Sequence, residues 1–325
     1  MFNRYWREYP WLLQLLLFVL MIFILAGFFL KVVAPLTVSL LTQVQGLDLR
    51  ELSKESPKPV VRAALIWQAL SSIAIFALPS LLFAYQATPH FRSYLGLRRP
   101  GRSVHWGWVS LLMLGAMPLM LQLQALMRML DLGIEDNSKL TEAMLRMESF
   151  PEFAAVFFVM AIIPAAGEEL FFRGIVMRFI ARKNGFAPMP YELKEAAPDK
   201  SRMVLNVGIT AFMFAIMHSS LYGFPSILFA GMLLGFIYYL TGSLWCSILA
   251  HLINNGLQII LVYFAPFSPG LKEISETDRL PWMVVLAGLI LFIYAANGLW
   301  KSRTPLPSGW SNDYLPGEVG PGVIR

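Results

Sequence analysis

Two carboxylates and a guanidinium, Glu168, Glu169 and Arg173, stand inside an apolar run over 153–180. A run of that length can cross a bilayer. A charge near the bilayer centre costs roughly 2.5–3.5 kcal/mol on insertion scales, so such a cluster reads as a functional site facing a protein cavity. Helical spacing divides it. Glu169 and Arg173 are i and i+4 with the carboxylate on the N-terminal side, the favoured order for an ion pair. Glu168 projects about 100° away round the helix and cannot share that guanidinium equally. Glu169–Arg173 therefore reads as a supporting pair and Glu168 as a free carboxylate, suited when desolvated to general-base work near neutral pH. The competing reading is a buried ion-pair network that only fixes helix packing.

Two of the four histidines, His218 and His251, also fall in apolar segments. Phe214 and His218 share a helix face at i, i+4, as do His251 and Asn255. Neutral imidazoles can bind a metal or orient water, and the Asn255 amide can donate to a developing oxyanion. No His-Glu-x-x-His run occurs, so a metal site would have to be assembled in space from Glu168, His218 and His251. Three such ligands with one position left for water is the pattern of catalytic zinc. A metal-free site, with Glu168 activating water directly, satisfies the same residues. Ser219, Ser220 and Ser247 lie near the histidines, but no Gly-x-Ser-x-Gly turn is present, which argues against a serine nucleophile. His90 and His105 lie in or beside a basic stretch and are expected to be solvated.

The elements that must position these groups are membrane helices. The chain has 325 residues, 57% of them hydrophobic and 14% charged, against about 25% charged in soluble domains. Eight spans are expected, near 11–33, 63–85, 106–130, 153–180, 203–221, 224–240, 244–264 and 282–300, giving an all-α bundle round an intramembrane cavity. The expected membrane domain covers 1–303, with the motif core at 153–264 and an extended tail at 304–325. An interfacial helix is expected within 138–147. Glycines in the sixth span, Gly231 and Gly235, predict close helix contact. With the N-terminus inside, fifteen Lys and Arg fall in cytosolic connections and ten in the opposite ones, which favours both termini in the cytosol. The net charge of +6 comes from these connections and does not point to nucleic acid. The one cysteine, Cys246, excludes an internal disulfide.

Taken in order, Glu168-Glu169-x-x-x-Arg173, Phe214-x-x-x-His218 and His251-x-x-x-Asn255 resemble the three motifs of the CAAX protease and bacteriocin-processing family, also called the Abi family. The resemblance implies an intramembrane endopeptidase with a conical cavity opening toward the cytosolic side, in a prokaryotic cell membrane. It implies that Glu168 activates water and that His218 and His251 hold that water or a metal, zinc being the candidate ion. Asn255 would stabilise the oxyanion, Glu169 and Arg173 would support the site, and Phe214 would pack beneath it. The substrate would be a peptide or a membrane-associated protein. Two other classes remain open on the residues alone: a non-catalytic membrane partner such as an immunity protein, and a transporter with Glu168 as a proton carrier.

Overall fold

The computed structural model describes residues 5–130, 138–181, 200–268, 280–306 and 310. Every regular element among them is helical. The spans are α1 (Trp11–Thr42), α2 (Lys58–Ala87), α3 (Val104–Arg128), α5 (Phe150–Ala181), α7 (Phe224–Thr241), α8 (Leu244–Phe267) and α9 (Trp282–Ser302), all long and apolar enough to cross a membrane. A short helix α4 (Ser138–Met144) falls in the expected interfacial segment, and α6 (Lys200–Met217) supplies a shorter apolar helix. The chain is a multi-pass integral membrane protein.

α1 outruns the sequence expectation because Pro35 does not stop it, and α2 and α5 run through prolines as expected. Pro35, Pro79 and Pro164 each follow a wide π-helical turn, at Phe29–Val33, Ile73–Ala77 and Phe158–Ile162. Proline removes one backbone donor and crowds the carbonyl four residues back. A local π turn relieves both while keeping the remaining polar groups bonded inside the helix, as a lipid setting demands. A fourth π turn, Leu170–Val176, has no proline and directly follows Glu169.

Two faces of the bundle can be traced by their cross-links. On one, the Arg7 guanidinium donates to Thr88 Oγ1, Leu244 N–H to the Gly96 carbonyl, Ser243 Oγ to the Arg98 carbonyl and Thr304 N–H to the Leu240 carbonyl. Both chain ends and the connections after α2 and α7 therefore share this face. On the other, Arg146 donates to the Lys54 carbonyl, Lys54 pairs with Glu142, and Lys58 pairs with Glu148 and Glu152. These contacts hold α4 beside the starts of α2 and α5, over a core that includes Val61, Leu65, Met144 and Val156.

Small residues bring the site-bearing helices together. A Cβ on Gly231 would lie 3.1 Å from Ala211 Cα, and one on Gly235 would lie 2.9 Å from Val207 Cγ1. The α6–α7 pair can approach this closely only with glycine there. The turn from α7 into α8 is equally tight, with Gly242 at φ 63° closing α7 by an N–H bond to the Tyr238 carbonyl.

Two expectations about polar residues change. His105 is not solvated: it is fully buried, with Nε2 2.8 Å from the Ser302 carbonyl, because the starts of α3 and α9's end pack together there. His90 is exposed as expected. The tail is docked at its start. Leu306 N–H donates to the Tyr239 carbonyl, its side chain is buried, and Trp310 packs on Tyr238 and the Arg178 guanidinium. The rest of the expected extended tail lies outside the described residues.

Candidate functional site

The supporting pair forms first, from α5 alone. Arg173 Nη1 lies 2.6 Å from Glu169 Oε1, and both side chains are fully buried. Two buried charges need further partners to offset lost hydration, and neighbouring helices supply them. Arg173 Nη2 donates to the Gly231 carbonyl on α7 at 2.8 Å, and the guanidinium sits over the Phe214 ring from α6. On α8, His251 Nδ1 lies 3.0 Å from Glu169 Oε1, and Ser247 Oγ donates to Glu169 Oε2. Four helices thus converge on one ion pair. Ser247 is a contributor that the sequence did not single out. Its position one turn before His251 on the same face was the available signal.

Glu168 faces the other way, as the helical angle predicts. Its Oε2 is 3.7 Å from His218 Nε2 and 3.9 Å from His251 Nε2. That oxygen is buried and has no hydrogen-bond partner within the protein. The tautomers follow from the partners. His218 Nδ1 lies 2.8 Å from the Phe214 carbonyl, which can only accept. His251 Nδ1 faces the Glu169 carboxylate, which also accepts. A neutral imidazole so held carries its proton on Nδ1 and turns a lone pair on Nε2 toward Glu168. Phe214 packs tilted against the His218 ring at 4.5 Å and edges the His251 ring at 5.8 Å. His218 lies just past the end of α6, where Ser219 takes a positive φ of 50° that turns the chain out of the helix.

The two histidines open onto a cavity of about 340 Å³, which Asn254 and Asn255 also line. Asn255 Oδ1 accepts from Asn254 Nδ2 at 3.0 Å, which leaves its own NH₂ group as a donor. Met117, Met120 and Leu121 form an apolar wall, and Gln124, Thr141 and Gln258 also line the cavity. Those three come from the end of α3, from α4 and from the distal half of α8. The cavity therefore extends from the histidines toward α4.

Glu168 Oε2 and the two Nε2 atoms are three acceptors with no protein donor among them. That donor set matches divalent zinc in kind, and both imidazoles have the outer hydrogen bonds that orient metal-bound histidine. As placed, no group of three or more His, Cys, Asp and Glu side chains among the described residues is close enough to hold an ion.

Residues 150–257 match the family model described as Type II CAAX prenyl endopeptidase Rce1-like, a stretch that contains every residue of the cluster. The segment that carries the site is thus similar to CAAX-type membrane proteases. Neither curated proteins nor solved structures gave a match.

Proposed function

We propose that the protein hydrolyses peptide bonds in a peptide or protein segment that enters this cavity, with Glu168 as the base that takes a proton from water. The observation that carries this reading is the unpartnered Glu168 Oε2, buried and facing two Nε2 lone pairs across gaps of 3.7 and 3.9 Å. Those gaps exceed a direct hydrogen bond and suit a small bound species between the groups. A water there donates one proton to Glu168 and the other to an imidazole, leaving an oxygen lone pair for the substrate carbonyl. Asn255, with its NH₂ group unspent, stabilises the oxyanion that forms. Glu168 then returns the proton to the leaving amine. Glu169 and Arg173 take no part in proton transfer; they hold His251 and Phe214 in place. A zinc ion, if bound, would be held by Glu168, His218 and His251 and would supply Lewis-acid polarisation and a more acidic water.

The wall of Met117, Met120 and Leu121 and the amides of Gln124, Asn254 and Gln258 suit an extended, uncharged segment. Purified wild type and Glu168→Gln, compared on a quenched fluorescent peptide library with and without a chelator, test the reading. The expected result is hydrolysis by wild type and a loss of at least about 100-fold in Glu168→Gln, the lower end for general-base catalysis, at equal folded yield. Full activity in Glu168→Gln would remove the base from the mechanism. Chelator-sensitive activity, restored by zinc, would support the metal-assisted form.

A further inference from the structure

We infer that the joined ends of α3 and α9 form a binding surface for anionic phospholipid headgroups, built from Arg98, Arg99, Arg102, Lys301 and Arg303. The inference is independent of the peptidase reading.

Four observations combine. First, the fold brings two basic segments together. His105 Nε2 lies 2.8 Å from the Ser302 carbonyl, and a Cβ on Gly101 would lie 2.8 Å from Thr304 Oγ1. Ser243 Oγ donates to the Arg98 carbonyl, and Thr304 Oγ1 donates to the Thr241 carbonyl two residues before Ser243. Segment 98–102 therefore lies against 301–304. Close packing of α3 on α9, where a Cβ on Gly298 would lie 2.6 Å from the Trp108 ring, fixes the arrangement. Second, the charge is uncompensated. All five cations are exposed, and none pairs with a carboxylate among the described residues. No Asp or Glu occurs within 88–103 or 301–306. The cations beside α4 are instead paired, Lys54 with Glu142 and Lys58 with Glu148 and Glu152. Third, helix dipoles account for only part of the cluster. Lys301 and Arg303 suit the C-terminal end of α9, but Arg99 and Arg102 precede the N-terminal end of α3, where a cation is disfavoured. Fourth, the surface sits at headgroup depth. It joins the start of one span to the end of another, and Trp106 and Trp300 beside it are exposed, as indoles at a membrane–water interface are. Arginine forks can hold a lipid phosphate bidentately, and basic residues beside a span attract anionic headgroups.

The test titrates the full-length protein in detergent with phosphatidylglycerol or phosphatidylcholine of the same acyl chains, with bound lipid read by native mass spectrometry. Wild type is expected to bind phosphatidylglycerol at least tenfold more tightly than phosphatidylcholine. Arg99→Gln/Arg102→Gln should lose at least about tenfold of that affinity, each cation contributing about fivefold. Lys301→Gln/Arg303→Gln should lose a similar amount, which keeps the test decisive if either pair fails to fold. Arg50→Gln, which removes an exposed cation outside the cluster, should bind as wild type does. Equal affinity for the two lipids, or unchanged affinity in the folded Gln pairs, would overturn the inference. Displacement of the lipid by millimolar glycerol 3-phosphate would make the surface a soluble-phosphate site and overturn the lipid assignment.

Discussion

Glu168 and Glu169 are neighbours in the chain with opposite circumstances. Glu169 is fully buried and receives Arg173, His251 and Ser247. Glu168 keeps a buried oxygen with no protein donor. An unsatisfied buried carboxylate oxygen is costly, and its persistence points to a ligand, water or ion that completes it in use. The asymmetry predicts different failures. Arg173→Met should leave the Glu169 charge buried beside a single histidine and cost about 3–5 kcal/mol, as breaking one side of a buried pair does. The check is a marked fall in the thermal midpoint of the detergent-solubilised protein, where Glu168→Gln should fall little or rise. Equal midpoints for Arg173→Met and wild type would show that the pair is not structural.

Among elements, the α6–α7 contact controls the catalytic distance. His218 lies at the end of α6, whose Phe214 packs on Phe172 and Arg173 of α5. α7 backs this contact, where Gly231 faces Ala211 and its carbonyl accepts from Arg173. A side chain at Gly231 meets backbone at 3.1 Å, which cannot yield as a flexible side chain would. Gly231→Val should force α6 outward, costing about 1–3 kcal/mol from overpacking and lowering hydrolysis at least tenfold because His218 moves from Glu168. Thermal midpoint and kcat/KM measured together test this. Unchanged kcat/KM would mean that His218 does not need its observed distance. The π turns belong to this scale also. They let α1, α2 and α5 run through Pro35, Pro79 and Pro164, so that α5 is long enough to present Glu168 deep in the bundle.

The whole molecule is closed on its terminal face by the docked tail. Thr304 and Leu306 bond to the last carbonyls of α7, and Trp310 covers Tyr238 and Arg178. Burying a leucine side chain contributes about 1.5–3 kcal/mol. A chain ended after Ser302 should therefore melt lower than the full chain, and one ended after Trp310 should match it. A midpoint unchanged by the shorter truncation would show that the tail contacts add no stability.

Residue types and spacing were enough to establish a helical membrane bundle, the Glu169–Arg173 pairing and the separate direction of Glu168. These follow from helical periodicity and from the expense of charge in lipid, both of which act locally along the chain. The ordered motifs also pointed to the CAAX-type protease class that the matched segment supports. Tertiary structure decided what local periodicity cannot reach. It brought His218 and His251 to 3.7 and 3.9 Å from Glu168 Oε2, because that requires α5, α6 and α8 to meet. It recruited Ser247 and the Gly231 carbonyl to the buried pair. It buried His105, whose basic neighbours had suggested solvent, against the end of α9. It also joined residues of α3, α4, α6, α7 and α8 in one cavity lining, since a recess depends on the packing of several helices and on no single one.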